Sequence, residues 1–143
     1  PKQGETATPP RGTGRILVMD DEPMIRQLAE NMLTSLGYEV ETACDGIDAL
    51  QKIEQLAAKG KPFDAVVLDL TVQGGVGGQE IISKLSERYP TLPAIVSSGY
   101  SNDPVMADFA SYGFRGAIPK PYNLRAMAET LAMVLSANDD KVS

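Results

Sequence analysis

With 143 residues, of which 43% are hydrophobic and 22% charged, the chain has the size and composition of one globular domain with a packed core. Its net charge of −6 argues against nucleic-acid binding, because that function needs a basic face. The sequence contains no histidine, which excludes histidine-based zinc sites, Ser-His-Asp triads and histidine phosphorylation within this chain.

Residues 1–14 are rich in proline and glycine and lack large apolar side chains. This composition predicts a linker or disordered lead. We expect the folded domain to span residues 15–137 and a polar tail to span residues 138–143.

From residue 16 onward, short apolar runs alternate with segments of helical periodicity. The runs that favour strands are residues 16–19, 38–43, 65–68, 94–97 and 116–118. The helical stripes between and after them are Ile25, Leu28, Met32 and Leu36; Ala49, Ile53 and Leu56; Ile81, Leu85 and Tyr89; Val105, Phe109 and Tyr112; and Leu124, Met127, Leu131 and Leu135. Five strand–helix repeats predict an α/β, doubly wound parallel sheet with helices on both faces.

Several residues mark where the predicted helices begin and end. Gly37 and Pro90 are typical of the position after a helix. Asp103 is a predicted N-cap with Pro104 at the first helical position, and Asn123 is the predicted cap of the last helix.

Polar side chains follow the predicted strands at the edge where open parallel sheets bind ligands. They are Asp20, Asp21 and Glu22 after the first strand, Asp69 after the third, Ser97 and Ser98 at the fourth, and Lys120 after the fifth. Clustered carboxylates repel one another unless a cation intervenes, and Mg2+ is commonly held by carboxylates plus phosphate oxygens. An aspartate at a strand end can also act as a nucleophile and form an acyl phosphate, with an ammonium and a hydroxyl stabilising the phosphoryl group.

Each residue also has a simpler interpretation when it is considered alone. Asp20 and Asp21 precede Pro23 and could cap a helix. Asp69 could form a turn before a glycine-rich loop, and Lys120 could be a solvated surface lysine. The placement of one such group at each of several strand ends favours a shared site.

The motifs ILVMDDEP, VVLDL, IVSSGY and IPKPY occur in this order over residues 15–137. In these motifs and their spacing the chain resembles the receiver domain of two-component response regulators. The resemblance implies a flavodoxin-like (βα)5 fold with a five-stranded parallel sheet of order 2-1-3-4-5.

The resemblance also implies roles for individual residues. Asp69 would be the phosphoacceptor, and Mg2+ would be held by Asp20, Asp21, Asp69 and the backbone carbonyl of Thr71. Ser98 and Lys120 would contact the phosphoryl group. The peptide bond between Lys120 and Pro121 would be cis, which proline makes accessible.

The sequence departs from the family pattern at two places. Ala117 stands where many members carry an aromatic switch residue, although Tyr100 lies nearby and could contribute. Gln73 stands where a proline is more usual, ahead of a GGVGG stretch that lacks the GK[ST] ending of a nucleotide-binding loop.

The implied function is a phospho-accepting switch module that takes a phosphoryl group from a histidine kinase or phosphotransfer domain. We expect the C-terminal receiver of a hybrid sensor kinase, and the alternative is a stand-alone single-domain regulator. The module would assist its own phosphorylation and dephosphorylation without being an enzyme in the ordinary sense.

A Mg2+-dependent phosphatase with an aspartate nucleophile is disfavoured because Thr71 replaces its second aspartate. A pseudo-receiver that is never phosphorylated is disfavoured by the complete acidic set.

The remaining expectations concern the cellular context. Cys44 is the single cysteine, so no internal disulfide can form and a reducing, cytoplasmic location is expected. No apolar run approaches the roughly 18–20 residues of a membrane span, and no secretory leader opens the chain, so we expect no direct membrane contact. The sequence leaves the oligomeric state open.

Overall fold

The computed structural model describes residues 9–99 and 103–142. The strands are β1 (Arg15–Met19), β2 (Glu39–Ala43), β3 (Ala65–Asp69), β4 (Ala94–Ser98) and β5 (Gly116–Pro119). The helices are α1 (Pro23–Ser35), α2 (Gly46–Ala58), α3 (Gly78–Arg88), α4 (Pro104–Ala107) and α5 (Leu124–Val142), and a 3-10 helix (Phe109–Tyr112) follows α4. The predicted alternation of strands and helices is therefore confirmed.

The strands form one parallel sheet in the order β2-β1-β3-β4-β5, as the resemblance implied. Because the strands are parallel, the loops after β1 and β3 leave from the same edge of the sheet. Strand β1 lies between β2 and β3, so the chain order reverses there and a crevice opens between these loops. The pairing of Asp69 with Ser97 brings the ends of β3 and β4 level.

Helices cover both faces of the sheet and create two hydrophobic cores. Alternate residues of β1 point to opposite faces, so Leu17 packs with the core under α2 and α3 and Ile16 with the core under α1 and α5. Every residue of β3 and β4 is buried. A strand buried on both faces needs apolar side chains along its length, which explains the continuous apolar runs in the sequence.

The predicted helix boundaries are largely confirmed. Gly37 follows α1 with a φ of 108°, a left-handed conformation that glycine adopts without steric cost. The Asp103 side chain accepts a hydrogen bond from the Val105 amide at 3.0 Å, and the Asn123 side chain accepts one from the Ala126 amide at 2.9 Å.

The predicted helical stripes are wrong in part. In α1, Leu28 is 37% exposed, whereas Ala29 and Leu33 are buried, so the helix turns a neighbouring face to the sheet. The stripe from Val105 to Tyr112 is divided between α4 and the 3-10 helix, and Tyr112 is 41% exposed. The last helix runs from Leu124 to Val142 without a glycine or proline, so it enters the segment after residue 137 that was predicted to be a polar tail.

Part of the predicted linker lies against the domain. The Gly12 amide donates to the Leu36 carbonyl at 2.9 Å, and the Glu39 amide donates to the Gly14 carbonyl at 2.8 Å. A Cβ on residue 12 would overlap the ring of Tyr38, so the close approach requires glycine. The rest of the predicted lead, residues 1–8, lies outside the described residues.

Within residues 9–99 and 103–142, no helix has the length and apolar character needed to cross a membrane.

Candidate functional site

The ends of four strands open into one cleft of about 560 Å3 at the C-terminal edge of the sheet. The cleft is lined by Asp21, Glu22, Ile25, Asp69, Thr71, Gln73, Ser98, Gly99, Lys120 and Pro121. Strands β1 and β3 bring the acidic residues, β4 brings Ser98, and the turn after β5 brings Lys120. Of the side chains that the sequence predicted to meet at this edge, those brought together are Asp20, Asp21, Glu22, Asp69, Ser98 and Lys120. Ser97 is instead buried behind the cleft.

Three carboxylates converge at the base of this cleft. One oxygen from each of Asp20, Asp21 and Asp69 lies within 4.8 Å of the other two. Asp20 is fully buried and Asp69 is nearly so, whereas Asp21 is partly exposed. Hard cations such as Mg2+ prefer oxygen ligands of this kind, so the group fits a divalent ion.

The ammonium group of Lys120 bridges two of the three carboxylates. Its Nζ lies 2.9 Å from Asp20 Oδ2 and 3.2 Å from Asp69 Oδ1. Burial acts to lower the pKa of Lys120, but its hydrogen bond to Asp20 and the charges of Asp69 and Asp20 outweigh burial and raise the pKa to about 12. One positive charge faces three negative ones, and the excess negative charge favours a further cation.

The same surroundings make Asp69 unusually basic for a carboxylate. Burial, together with the charge of Asp20, raises the pKa of Asp69 to about 6, although Lys120 opposes the rise. At neutral pH the carboxylate is therefore mostly ionised, and it is only partly neutralised by the lysine. An ionised, poorly compensated aspartate at the bottom of an open cleft is a good nucleophile and a good cation ligand.

The raised pKa of Asp69 predicts a pH dependence of stability in the metal-free protein. Because the pKa of Asp69 in the folded protein, about 6, exceeds the ordinary value of 3.8, ionising Asp69 costs more free energy in the folded state than in the unfolded state. The favourable contribution of Asp69 to stability is therefore complete below about pH 4, where its carboxyl group is protonated in both states. This contribution is lost as the pH rises through 6. Because water in the cleft screens the repulsion, we expect a loss of only about 1–2 kcal/mol.

Urea unfolding in EDTA from pH 4 to 8 would measure this effect. Asp69→Asn cannot titrate, so the variant should gain stability relative to the unsubstituted protein as the pH rises from 4 to 6. A stability difference that is constant over this range would contradict the assignment.

Backbone contacts hold the first acidic loop in place. The Glu22 amide donates to Asp20 Oδ1 at 2.9 Å, and Arg26 Nη1 donates to the Asp20 carbonyl at 2.7 Å. Helix α1 begins at Pro23 with Glu22 at the N-cap position and no side-chain cap, so the simpler interpretation of Asp20 and Asp21 as helix caps is wrong. Sequence reasoning missed Arg26; an arginine on the first turn of the helix that follows the acidic pair was the available signal.

The loop after β3 carries Thr71 into the cleft and is closed by two glycines. A Cβ on residue 77 would lie 2.6 Å from the Leu70 carbonyl oxygen, and one on residue 78 would lie 2.9 Å from that of Asp69. Glycine at both positions lets α3 start directly against the end of β3.

The turn after β5 has the cis peptide bond between Lys120 and Pro121 that the resemblance implied. The Lys120 amide donates to the Ser98 carbonyl at 2.9 Å, which fixes the lysine backbone beside the end of β4. Ser98 is nearly buried and faces the cleft, whereas the neighbouring Ser97 is fully buried behind it. Tyr100, named above as a residue near the switch position, lies outside the described residues.

The match to a known family covers most of the chain. Residues 16–132 match the model of the response regulator receiver domain. The chain is 31% identical over 138 residues to the sensor kinase CckA of Brucella abortus, covering 96% of this chain and 14% of that protein. It is 35% identical over 112 residues to a putative NtrX-like response regulator of Rickettsia typhi, covering 76% of this chain and 22% of that protein. The chain therefore spans less than a quarter of the length of these relatives.

Known structures agree with this match. The crystal structure of NtrX from Brucella abortus superposes with a TM-score of 0.81 at 27% identity, covering 91% of this chain and 29% of that one. A CheY-like receiver domain protein from Methanospirillum hungatei superposes with a TM-score of 0.77 at 26% identity, covering 91% of this chain and 99% of that one. Sequence and fold thus agree that the chain belongs to the response regulator receiver domain family of two-component systems.

Proposed function

We propose that this domain accepts a phosphoryl group from a phosphohistidine onto Asp69, with Mg2+ bound beside it. The main observation in support is the position of Asp69 at the end of β3, in a cleft that Asp21 and Lys120 also line. The Asp69 carboxylate contacts the Lys120 ammonium group there. Phosphoryl transfer depends chiefly on positioning and on neutralising charge, and this cleft supplies both.

In the transfer step, a carboxylate oxygen of Asp69 attacks the phosphorus atom of the donor. A P–O bond forms as the P–N bond breaks, and the departing imidazole nitrogen keeps the electron pair and takes up a proton. The product is an acyl phosphate on Asp69. The pKa of about 6 supports this role, because the carboxylate is ionised and unprotonated at neutral pH.

Asp20, Asp21, Asp69 and the Thr71 carbonyl are the groups that would hold Mg2+. The convergence of the three carboxylates and the place of Thr71 in the cleft support this ligand set. When bound, the ion would offset charge on the phosphoryl oxygens. The Glu22 amide, which donates to Asp20 Oδ1, and Arg26, which donates to the Asp20 backbone carbonyl, hold the Asp20 carboxylate in the cluster.

Lys120 and Ser98 would respond to the new anion. The Lys120 ammonium group already lies 3.2 Å from Asp69, so a small movement would let it contact a phosphoryl oxygen. Ser98 lines the same cleft, and its hydroxyl can donate to the anion once β4 shifts. Such a movement would alter the surface formed by α4, β5 and α5, and Ala117 would leave that change without a coupled aromatic ring.

The relatives support a position within a larger signalling protein. Sensor kinases from Brucella abortus and Salmonella typhi match 96% and 82% of this chain while being several times longer. We therefore propose a C-terminal receiver of a hybrid sensor kinase, over residues 15–137 with the remainder of α5 as an extension. Its partners would be a histidine kinase or phosphotransfer domain in the cytoplasm, and it would contact neither nucleic acid nor membrane directly. It would assist its own phosphorylation without being an enzyme in the ordinary sense.

Titration with beryllofluoride in the presence of Mg2+ would test the proposal. Beryllofluoride mimics a phosphoryl group on a carboxylate, so the amide NMR signals of Asp69, Ser98 and Lys120 should shift when it is added to a sample that already contains Mg2+. Beryllofluoride without Mg2+ should shift none of them. Acetyl phosphate with Mg2+ should add one acid-labile phosphoryl group. No spectral response and no label would identify a pseudo-receiver instead.

A further inference from the structure

A buried hydrogen bond joins β4 to the loop that follows Lys120. The Ser97 Oγ and Tyr122 Oη atoms lie 2.9 Å apart, and Ser97 is fully buried while Tyr122 is 6% exposed. Burial raises the pKa of Tyr122 to about 12, so its hydroxyl remains protonated and able to donate. A hydrogen bond between two buried side chains fixes both in one geometry, because neither hydroxyl can turn to water instead.

Backbone hydrogen bonds of β4 connect the Ser97–Tyr122 pair to the acidic site. The Ser97 carbonyl accepts a hydrogen bond from the Leu70 amide at 2.8 Å, and Leu70 directly follows Asp69. The next residue, Ser98, accepts one from the Lys120 amide at 2.9 Å. The backbone of β4 thus links the phosphoacceptor strand on one side to the lysine turn on the other.

The hydrogen bond between the Ser97 and Tyr122 hydroxyls adds a second connection between β4 and the turn that contains Lys120. Tyr122 lies two residues after Lys120 and buries its ring in the core under α1 and α5. Its hydroxyl reaches back to the strand that carries Ser98, so the ends of the turn from Lys120 to Tyr122 are both tied to β4. A shift of either end would therefore change the distance between the Lys120 ammonium group and Asp69.

We propose that Ser97 and Tyr122 are positioning residues for phosphoryl transfer, which hold Lys120 and Ser98 in register with Asp69. The proposal rests on the proposed function of Asp69. The competing explanation is that the two hydroxyls merely satisfy each other in the core and contribute to stability alone. Reaction geometry is sensitive to displacements of an ångström, so a positioning role should appear in the transfer rate.

Single and double variants separate the two explanations. Tyr122→Phe leaves the Ser97 hydroxyl buried without this partner, so it should lower stability, and Ser97→Ala should do the same from the other side. The double variant removes both polar groups and should recover most of that stability. We expect the rate of Asp69 labelling by acetyl phosphate with Mg2+ to fall about tenfold in both single variants and to remain low in the double variant.

Matched controls carry the same chemical changes at exposed positions. Tyr112→Phe and Ser83→Ala should leave the labelling rate unchanged, since Tyr112 is 41% exposed and Ser83 lies on the outer face of α3. A labelling rate that recovers with stability in the double variant would overturn the proposal, as would an unchanged rate in Tyr122→Phe.

A measurement without phosphodonor keeps this inference distinct from the proposed function. Amide hydrogen exchange of Lys120 and Leu70 should accelerate about tenfold in Tyr122→Phe and in the double variant. Exchange at Gly12, whose amide bonds to Leu36 far from the cleft, should not change. Absence of labelling in the unsubstituted protein would reject the proposed function, whereas unchanged exchange at Lys120 and Leu70 would reject the positioning role.

Discussion

Asp69→Asn should take up no phosphoryl group from acetyl phosphate or from a phosphohistidine donor in the presence of Mg2+. The amide keeps the size of the side chain but removes the nucleophilic carboxylate, and the acidic cluster offers no second carboxylate at the end of β3. Intact-protein mass spectrometry after mild acid and after neutral quenching would measure acid-labile label directly.

Asp108→Asn is the matched control, because Asp108 is exposed and the substitution makes the same change of charge. This variant should be labelled like the unsubstituted protein. Label retained in Asp69→Asn would move the acceptor to another residue and would remove the basis of the proposed function.

Lys120→Met should destabilise the metal-free protein by about 3 kcal/mol near pH 8. Methionine keeps much of the apolar stem but removes the ammonium group that lies 2.9 Å from the fully buried Asp20 and 3.2 Å from Asp69. The uncompensated carboxylates then repel one another in a poorly solvated place. Urea unfolding in EDTA and in Mg2+ would measure both the loss and its reversal.

Two conditions should restore the stability of Lys120→Met. Saturating Mg2+ should recover a large part of the loss, because a divalent ion replaces the missing positive charge. Acidification should also recover it, since protonation removes the repulsion as the pH falls through the raised pKa of Asp69. Lys84→Met, at an exposed position of α3, should show neither effect. If Lys120→Met were as stable as this control, the Lys120 ammonium group would contribute no more to stability than a solvated surface lysine does.

The sequence was sufficient to predict the order of elements and the edge of the sheet that carries the site. Strands such as Ala65–Asp69 are buried on both faces, so they need continuous apolar runs that are visible without a structure. The faces of the surrounding helices were less predictable. Leu28 fits a helical stripe but is partly exposed, because the orientation of α1 depends on how Ala29 and Leu33 fit the sheet.

By itself the sequence determined which chemical groups this protein brings to the end of its sheet, because parallel strands must place their C-terminal residues on one edge. Only the tertiary structure decided how those groups interact. The Lys120 ammonium group contacts Asp20 and Asp69 across 100 and 51 positions of the chain, and the Ser97–Tyr122 bond spans 25. Distances, burial and the resulting pKa of Asp69 depend on packing between strands distant in sequence, and no local pattern encodes them.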